Sequence, residues 1–203
     1  LAGRKSLRMN FGVCLPNYGP ATSANAISQV AQAAEAAGYD SIWATDHILV
    51  PEKHGETYGD VVEALITLGY LAGITKNILL ATSILVLPQR DPLLVAKQIA
   101  AIDQFSGGRT ILGVGVGWIE EEFRFLRTDF SRRGQIIEEW IQVLRTLWTE
   151  DRPAFQGDWI DFEDAVFEPK PVQSPGPPIY IGGDSDAAIR RAAKLGDGWH
   201  PGS

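Results

Sequence analysis

The sequence predicts a parallel α/β protein, and three observations predict it. Short apolar runs alternate with segments whose apolar residues recur at helical spacing. The repeat is roughly 30 residues or more, the size of a βαβ unit. Glycine, proline or a capping residue marks most of the changeovers. Alternation of this kind means a parallel sheet, because parallel neighbours need a crossover segment. It is compatible with either an open doubly wound sheet or a closed barrel.

Each element follows in order. Residues 10–15 (NFGVCL) read as the first strand, broken by Pro16, Asn17, Gly19 and Pro20. Ser23 caps a helix over 24–37, with Ile27, Val30, Ala31 and Ala34 on one face and Gly38 as its stop. The second strand is 40–45 (DSIWAT), then a polar loop through Pro51–Gly55, then a helix over 59–74. The third strand is 78–87, and Asp91-Pro92 opens the helix after it, which ends at Gly107-Gly108. The fourth strand is 110–116, followed by a helix over 131–149 with Ile137, Trp140, Ile141, Leu144, Leu147 and Trp148 as its apolar stripe. Residues 153–177 break the rhythm. The alternation in Asp158–Phe162 and Ala165–Phe167 suggests a hairpin insertion. A fifth strand at 178–182, a helix capped by Ser185 and closed by Gly196, and a sixth strand starting near Gly198 complete the pattern.

Composition narrows the function. The 203 residues suffice for one domain with a substantial core, and 45% hydrophobic with 21% charged is an ordinary globular mix. A net charge of −7 without a basic stripe argues against nucleic acid as a partner. No apolar stretch is long enough for a bilayer. The single cysteine, Cys14, makes an intramolecular disulfide impossible, so a reducing, cytoplasmic setting is expected. Within the run Phe11–Leu15 it reads as a buried strand residue. Residues 1–8 are basic but precede no hydrophobic signal core, and read as a tag or upstream remnant before a natural start at Met9. The domain is therefore 9–203.

In parallel α/β proteins chemistry gathers at the carboxyl ends of strands. After the first strand, Leu15–Gly19 reads equally as a pocket floor or a tight turn. After the second, Asp46-His47 is an acid/base candidate, or else a loop hydrogen-bond motif. The third strand carries two hydroxyls, Thr82 and Ser83, in an apolar run. In the fourth, alternating Gly113, Gly115 and Gly117 before Trp118 suit either close approach of a flat or phosphorylated ligand or tight barrel packing. This is neither the dinucleotide fingerprint nor a phosphate-binding Walker loop. Gly182-Gly183 before a helix start reads as a phosphate nest or as an ordinary capped turn. The three histidines show no metal-ligand spacing, and no metal is expected.

Taken together, NFGVCLPNYG, AGYDSIWATDH, ILLATSILVLPQRDPLLVAKQIAAIDQFSGGR, TILGVGVGWIEEEF, FEPKPVQ, PPIYIGG and AAKLGDGWHP resemble the luciferase-like monooxygenase superfamily, in its F420-dependent oxidoreductase branch. The resemblance spans nearly all of 9–203. It implies a TIM-type (β/α)8 barrel, of which about six βα units lie in this chain, with the cofactor across the C-terminal mouth. It implies coenzyme F420 and hydride transfer with a small organic substrate, His47 and Asp46 acting as proton carrier and its orienting group. It implies a non-prolyl cis peptide at Ser83-Ile84 backing the ring. Gly115, Gly117, Trp118, Gly182, Gly183 and Ser185 become cofactor contacts, and a homodimer the expected assembly. Trp118 stands where sugar-phosphate-oxidising relatives carry a carboxylate, which speaks against that substrate class. Two other readings compete. One is an FMN-dependent monooxygenase using oxygen, and the other a non-catalytic flavin-binding protein.

Overall fold

A computed structural model describes residues 9–202; the expected tag or upstream remnant at 1–8 lies outside the described residues. In chain order the elements are β1 (Gly12–Cys14), α1 (Ala24–Ala36), β2 (Ser41–Ala44), α2 (Gly55–Tyr58), α3 (Ala64–Ile74), β3 (Leu79–Thr82), β4 (Leu85–Val86), α4 (Pro92–Ser106), β5 (Thr110–Gly115), α5 (Glu120–Leu126), α6 (Arg133–Thr149), β6 (Phe155–Gln156), β7 (Asp161–Phe162), β8 (Ile179–Gly182), α7 (Asp186–Leu195) and β9 (Gly198–His200).

The main sheet runs β1-β2-β3-β5-β8-β9, all parallel, with β4 continuing β3 alongside β5. The order never reverses. A doubly wound sheet reverses at a switch point, whereas a barrel wall does not. The topology therefore resolves what periodicity left open, in favour of part of a barrel. No helix among the described residues is long and apolar enough to cross a membrane.

Local signals explain the helix ends. Ser23, Asp91 and Ser185 accept the backbone N–H groups of Ala26, Leu94 and Ala188 at 3.0, 2.9 and 3.2 Å, so each caps its helix as the sequence suggests. Glu63 caps α3 in the same way, through Ile66 N–H at 2.6 Å. Gly107 closes α4 with φ of 69°, a conformation that costs glycine nothing. The core lies between sheet and helices. Ile42, Leu80, Leu112, Ile179 and Ile181 pack against Leu68, Leu71, Val95, Ile99, Ile137, Ile141 and Leu144. Each such side chain contributes roughly 1.5–3 kcal/mol by leaving water.

Three expectations are corrected, and one unassigned segment is helical. The third strand does not run unbroken over 78–87: it stops at Thr82 and resumes at Leu85 around a cis Ser83-Ile84 peptide. The loop at 50–58 is largely helical, with a 3₁₀ turn at Glu52–His54 running into α2. Residues 120–126, to which the sequence pattern assigns no element, form α5, whose three leading glutamates suit the positive end of the helix. The hairpin is confined to β6 and β7; Ala165–Phe167 forms no strand. That segment leads into a proline-rich stretch held by side chains, with Gln104 donating to the Lys170 carbonyl and Gln173 to Asp103.

Candidate functional site

The carboxyl ends of the strands surround a cavity of about 440 Å³, within the ~300–1,000 Å³ range of small-molecule sites. Ile84, Val86 and Val116 supply apolar surface. His47, Ser83, Tyr18, Tyr58, Trp118 and His200 bring polar or aromatic groups, and Gly117, Gly182 and Gly183 also line it.

The Asp46-His47 pair divides its work. Asp46 is fully buried and accepts Val86 N–H at 3.0 Å and an Arg90 guanidinium N–H at 2.6 Å. Burial pushes its carboxyl above the ordinary carboxylate range, opposed by the Arg90 charge. Arg90 also pairs with Glu63 at 2.8 Å. Burial works against the Arg90 charge, but the two carboxylates hold its pKa above its ordinary value. Asp46 thus ties the restart of β4 to the end of β2. The expectation that it orients His47 is corrected, because both its oxygens are taken by other donors.

Glu122 contacts the His47 ring instead, its Oε2 lying 3.0 Å from Nδ1. Its Oε1 accepts the N–H groups of Ile48 and Leu49 at 2.7 and 3.3 Å. Burial alone would raise the Glu122 pKa, yet the His47 contact and the Ile48 amide hold it below its ordinary value. The local sequence explains how Glu122 gets there. Phe123, fully buried, anchors α5, and its ring lies 2.8 Å from where a Cβ on Gly117 would sit. Gly117, at φ of 76°, makes the turn that brings the helix back over the strand end. Glu122 left no signal beyond being the third of three glutamates, and its partner is 75 positions away. Tyr58 of α2, also missed, packs on the imidazole at 4.4 Å between ring centroids.

The opposite wall holds a second imidazole. The His200 Nε2 is 3.1 Å from the Ser83 hydroxyl, its Nδ1 is 2.9 Å from the Pro201 carbonyl, and Trp43 meets the ring edge-on at 5.1 Å. The closing segment around Trp199-His200 stood out in the sequence, but its role in the site did not.

Other expected contacts separate. Ser83, Ile84, Gly117, Trp118, Gly182 and Gly183 line the cavity. Gly115 does not: it is buried, and the Ile84 side chain occupies the space a side chain there would need. Tight packing is its physical reason. Ser185 is spent as the cap of α7, and Gly183 N–H donates to the His200 carbonyl at 3.1 Å, so the expected phosphate nest keeps few free donors. Asp184 is exposed and accepts Gly202 N–H at 2.9 Å. Cys14 is exposed rather than buried, because it lies at the end of β1 where the strand opens onto the cavity. In the loop after β1, Asn17 is the structural member. Its amide donates to the carbonyls of Thr45 and Val62 at 2.7 and 3.0 Å, and its oxygen accepts Thr45 N–H at 2.9 Å.

Parallel strands in unreversed order, with a cavity at their carboxyl ends, define a barrel-type α/β protein with a small-molecule site. A model of the luciferase-like monooxygenase family matches residues 9–203, and the chain belongs to that family. It is 35% identical over 176 residues to an FMNH2-dependent dimethylsulfone monooxygenase of Pseudomonas putida, covering 85% of this chain and 47% of that one. It is 31% identical over 197 residues to an F420-dependent glucose-6-phosphate dehydrogenase of Amycolatopsis mediterranei (strain U-32), covering 95% and 56%. Among solved structures, the monooxygenase RslO1 from Streptomyces bottropensis superposes with a TM-score of 0.83 at 25% identity, over 94% of this chain and 59% of that one. The chain spans about half the length of these relatives.

Proposed function

We propose that this chain carries the cofactor site of an F420-dependent oxidoreductase that moves hydride between the deazaflavin and a small organic substrate. The observation that carries the reading is His47. Its Nδ1 is engaged by Glu122, and its Nε2 has no hydrogen-bond partner among the described residues while the ring lines the cavity. That leaves one ring nitrogen able to exchange a proton with a reacting molecule.

The residues present fit a flat heteroaromatic ring. Apolar surface from Ile84, Val86 and Val116 would lie against its faces, and Ser83 and the glycine pair Gly182-Gly183 would meet polar edges. When bound, F420 supplies the carbon that accepts or returns hydride. The chain's own residues orient the ring, and Tyr58 and Trp118 screen it from water. His47 exchanges one proton with the substrate.

The FMN reading is supported by the 35% identity to an FMNH2-dependent enzyme. The two readings part in one assay. Under nitrogen, F420 is consumed with a panel of small alcohols and aldehydes; in air, reduced FMN drives oxygen uptake. The proposal expects the first and only background in the second. Oxygen uptake with oxygenated product and no F420 turnover would refute it. Within the first assay, His47→Gln lowers turnover by about 10²–10⁴, measured as the initial rate of F420 reduction.

A further inference from the structure

We infer that Glu122 is the positioning residue that fixes the tautomer of His47, so that neutral His47 presents a bare Nε2, a base, to the cavity. The inference deepens the proposed function and rests on its reading of His47 as the proton carrier, but its geometric basis is independent of which cofactor binds.

The Glu122 carboxyl is 1% exposed, and both of its oxygens are committed. Oε1 takes the amides of Ile48 and Leu49, which can only donate. Oε2 faces His47 Nδ1 at 3.0 Å. Burial works against the charge, but the His47 contact and the Ile48 amide hold the carboxyl below its ordinary pKa, so it is ionised at neutral pH and accepts only. An acceptor opposite Nδ1 requires the proton to sit on Nδ1. A neutral imidazole has one N–H, so Nε2 carries the lone pair. Tyr58 against the ring face holds the imidazole in this orientation. The arrangement follows the logic of nucleophile-activating sites, in which a third group holds the base in its working tautomer.

The rival account is that Glu122 merely holds the Ile48–Leu49 loop in place. Glu122→Gln separates the two. A glutamine keeps Oε1 for both loop amides, so the loop stays anchored. It replaces Oε2 with an NH2 group that donates, which forces Nδ1 to accept and moves the ring proton to Nε2.

The test is the tautomer itself, read from two-bond 1H–15N correlations of the full chain with 15N-labelled histidine at alkaline pH. His47→Gln identifies the His47 signals among the three histidines. The wild type is expected to show a protonated Nδ1 and a bare Nε2, and Glu122→Gln the reverse, with turnover lowered by about 10²–10⁴. A wild-type ring protonated at Nε2, or a tautomer unchanged in Glu122→Gln, overturns the inference. The wild-type spectrum decides even if the variant fails to fold. An inverted tautomer with unchanged turnover supports the positioning role and counts instead against His47 as the proton carrier.

Discussion

The two ends of the strands use the same residue types for opposite purposes. At the amino ends, acidic side chains pin the chain where strands begin. Asp40 accepts Phe11 N–H at 2.8 Å, Glu35 accepts three successive amides at Lys76–Ile78, Asp103 accepts Gln173 N–H at 2.9 Å, and Asp197 accepts Ile179 N–H at 2.8 Å. Arg109 is buried there and donates to the carbonyls of Ala72, Thr75, Ile78 and Ser106 and to the Thr75 hydroxyl. Burial pulls its pKa below the ordinary value, with Glu35 opposing. At the carboxyl ends Asp46 and Glu122 are also fully bonded, but the His47 ring keeps one nitrogen without a partner among the described residues. Polar saturation marks the end that holds the fold, and an imidazole left with one open nitrogen marks the end we propose for the chemistry.

Asp46 is the residue that tests the comparison, since it sits at the mouth but is bonded like the base. Arg90→Met leaves its carboxylate buried without a counter-charge, at an expected cost of about 3–5 kcal/mol in a denaturant titration. A small stability change with lost cofactor binding would make Asp46 a site residue and break the division. Arg109→Met at the opposite end strands several buried carbonyls and should cost about 3 kcal/mol by the same measurement. Gly115→Ala pushes a methyl group into the Ile84 side chain and should cost about 1–3 kcal/mol. Unchanged stability would instead show free space above Gly115.

The smallest effect concerns acid. The Glu122 pKa lies below its ordinary 4.5 in the folded protein, so its ionisation adds stability that is complete above that pH. The contribution is lost as pH falls through the lowered value. The stability difference between the wild type and Glu122→Gln should therefore shrink on acidification, followed by denaturant midpoints from neutral pH to about 3. A difference that grows in acid would reverse the assigned sign.

Most of the fold was legible because its signals are local. Ser23, Asp91, Ser185 and Gly107 each stop or start a helix within a few positions of where they act. Periodicity says nothing about which strands are neighbours, so the barrel order came only from the family resemblance, and the structure bears it out. The site was half legible. Asp46-His47 follows its strand directly, and the Ser83-Ile84 break lies at the bond the family resemblance indicates. Glu122 and Tyr58 reach His47 from α5 and α2, two short elements without a clear apolar period. The alternating glycines gave a mixed signal. Gly117 turns the chain at the mouth, whereas Gly115 makes room for Ile84.

The most direct test of the central claim is a parallel equilibrium titration of the protein with F420 and with FMN, each followed by cofactor fluorescence, in the wild type and in a Ser83→Trp variant that fills the cavity. The account predicts that F420 binds more tightly than FMN and that the variant loses this binding while staying folded by circular dichroism. Tighter binding of FMN, or F420 binding that survives Ser83→Trp, would contradict it.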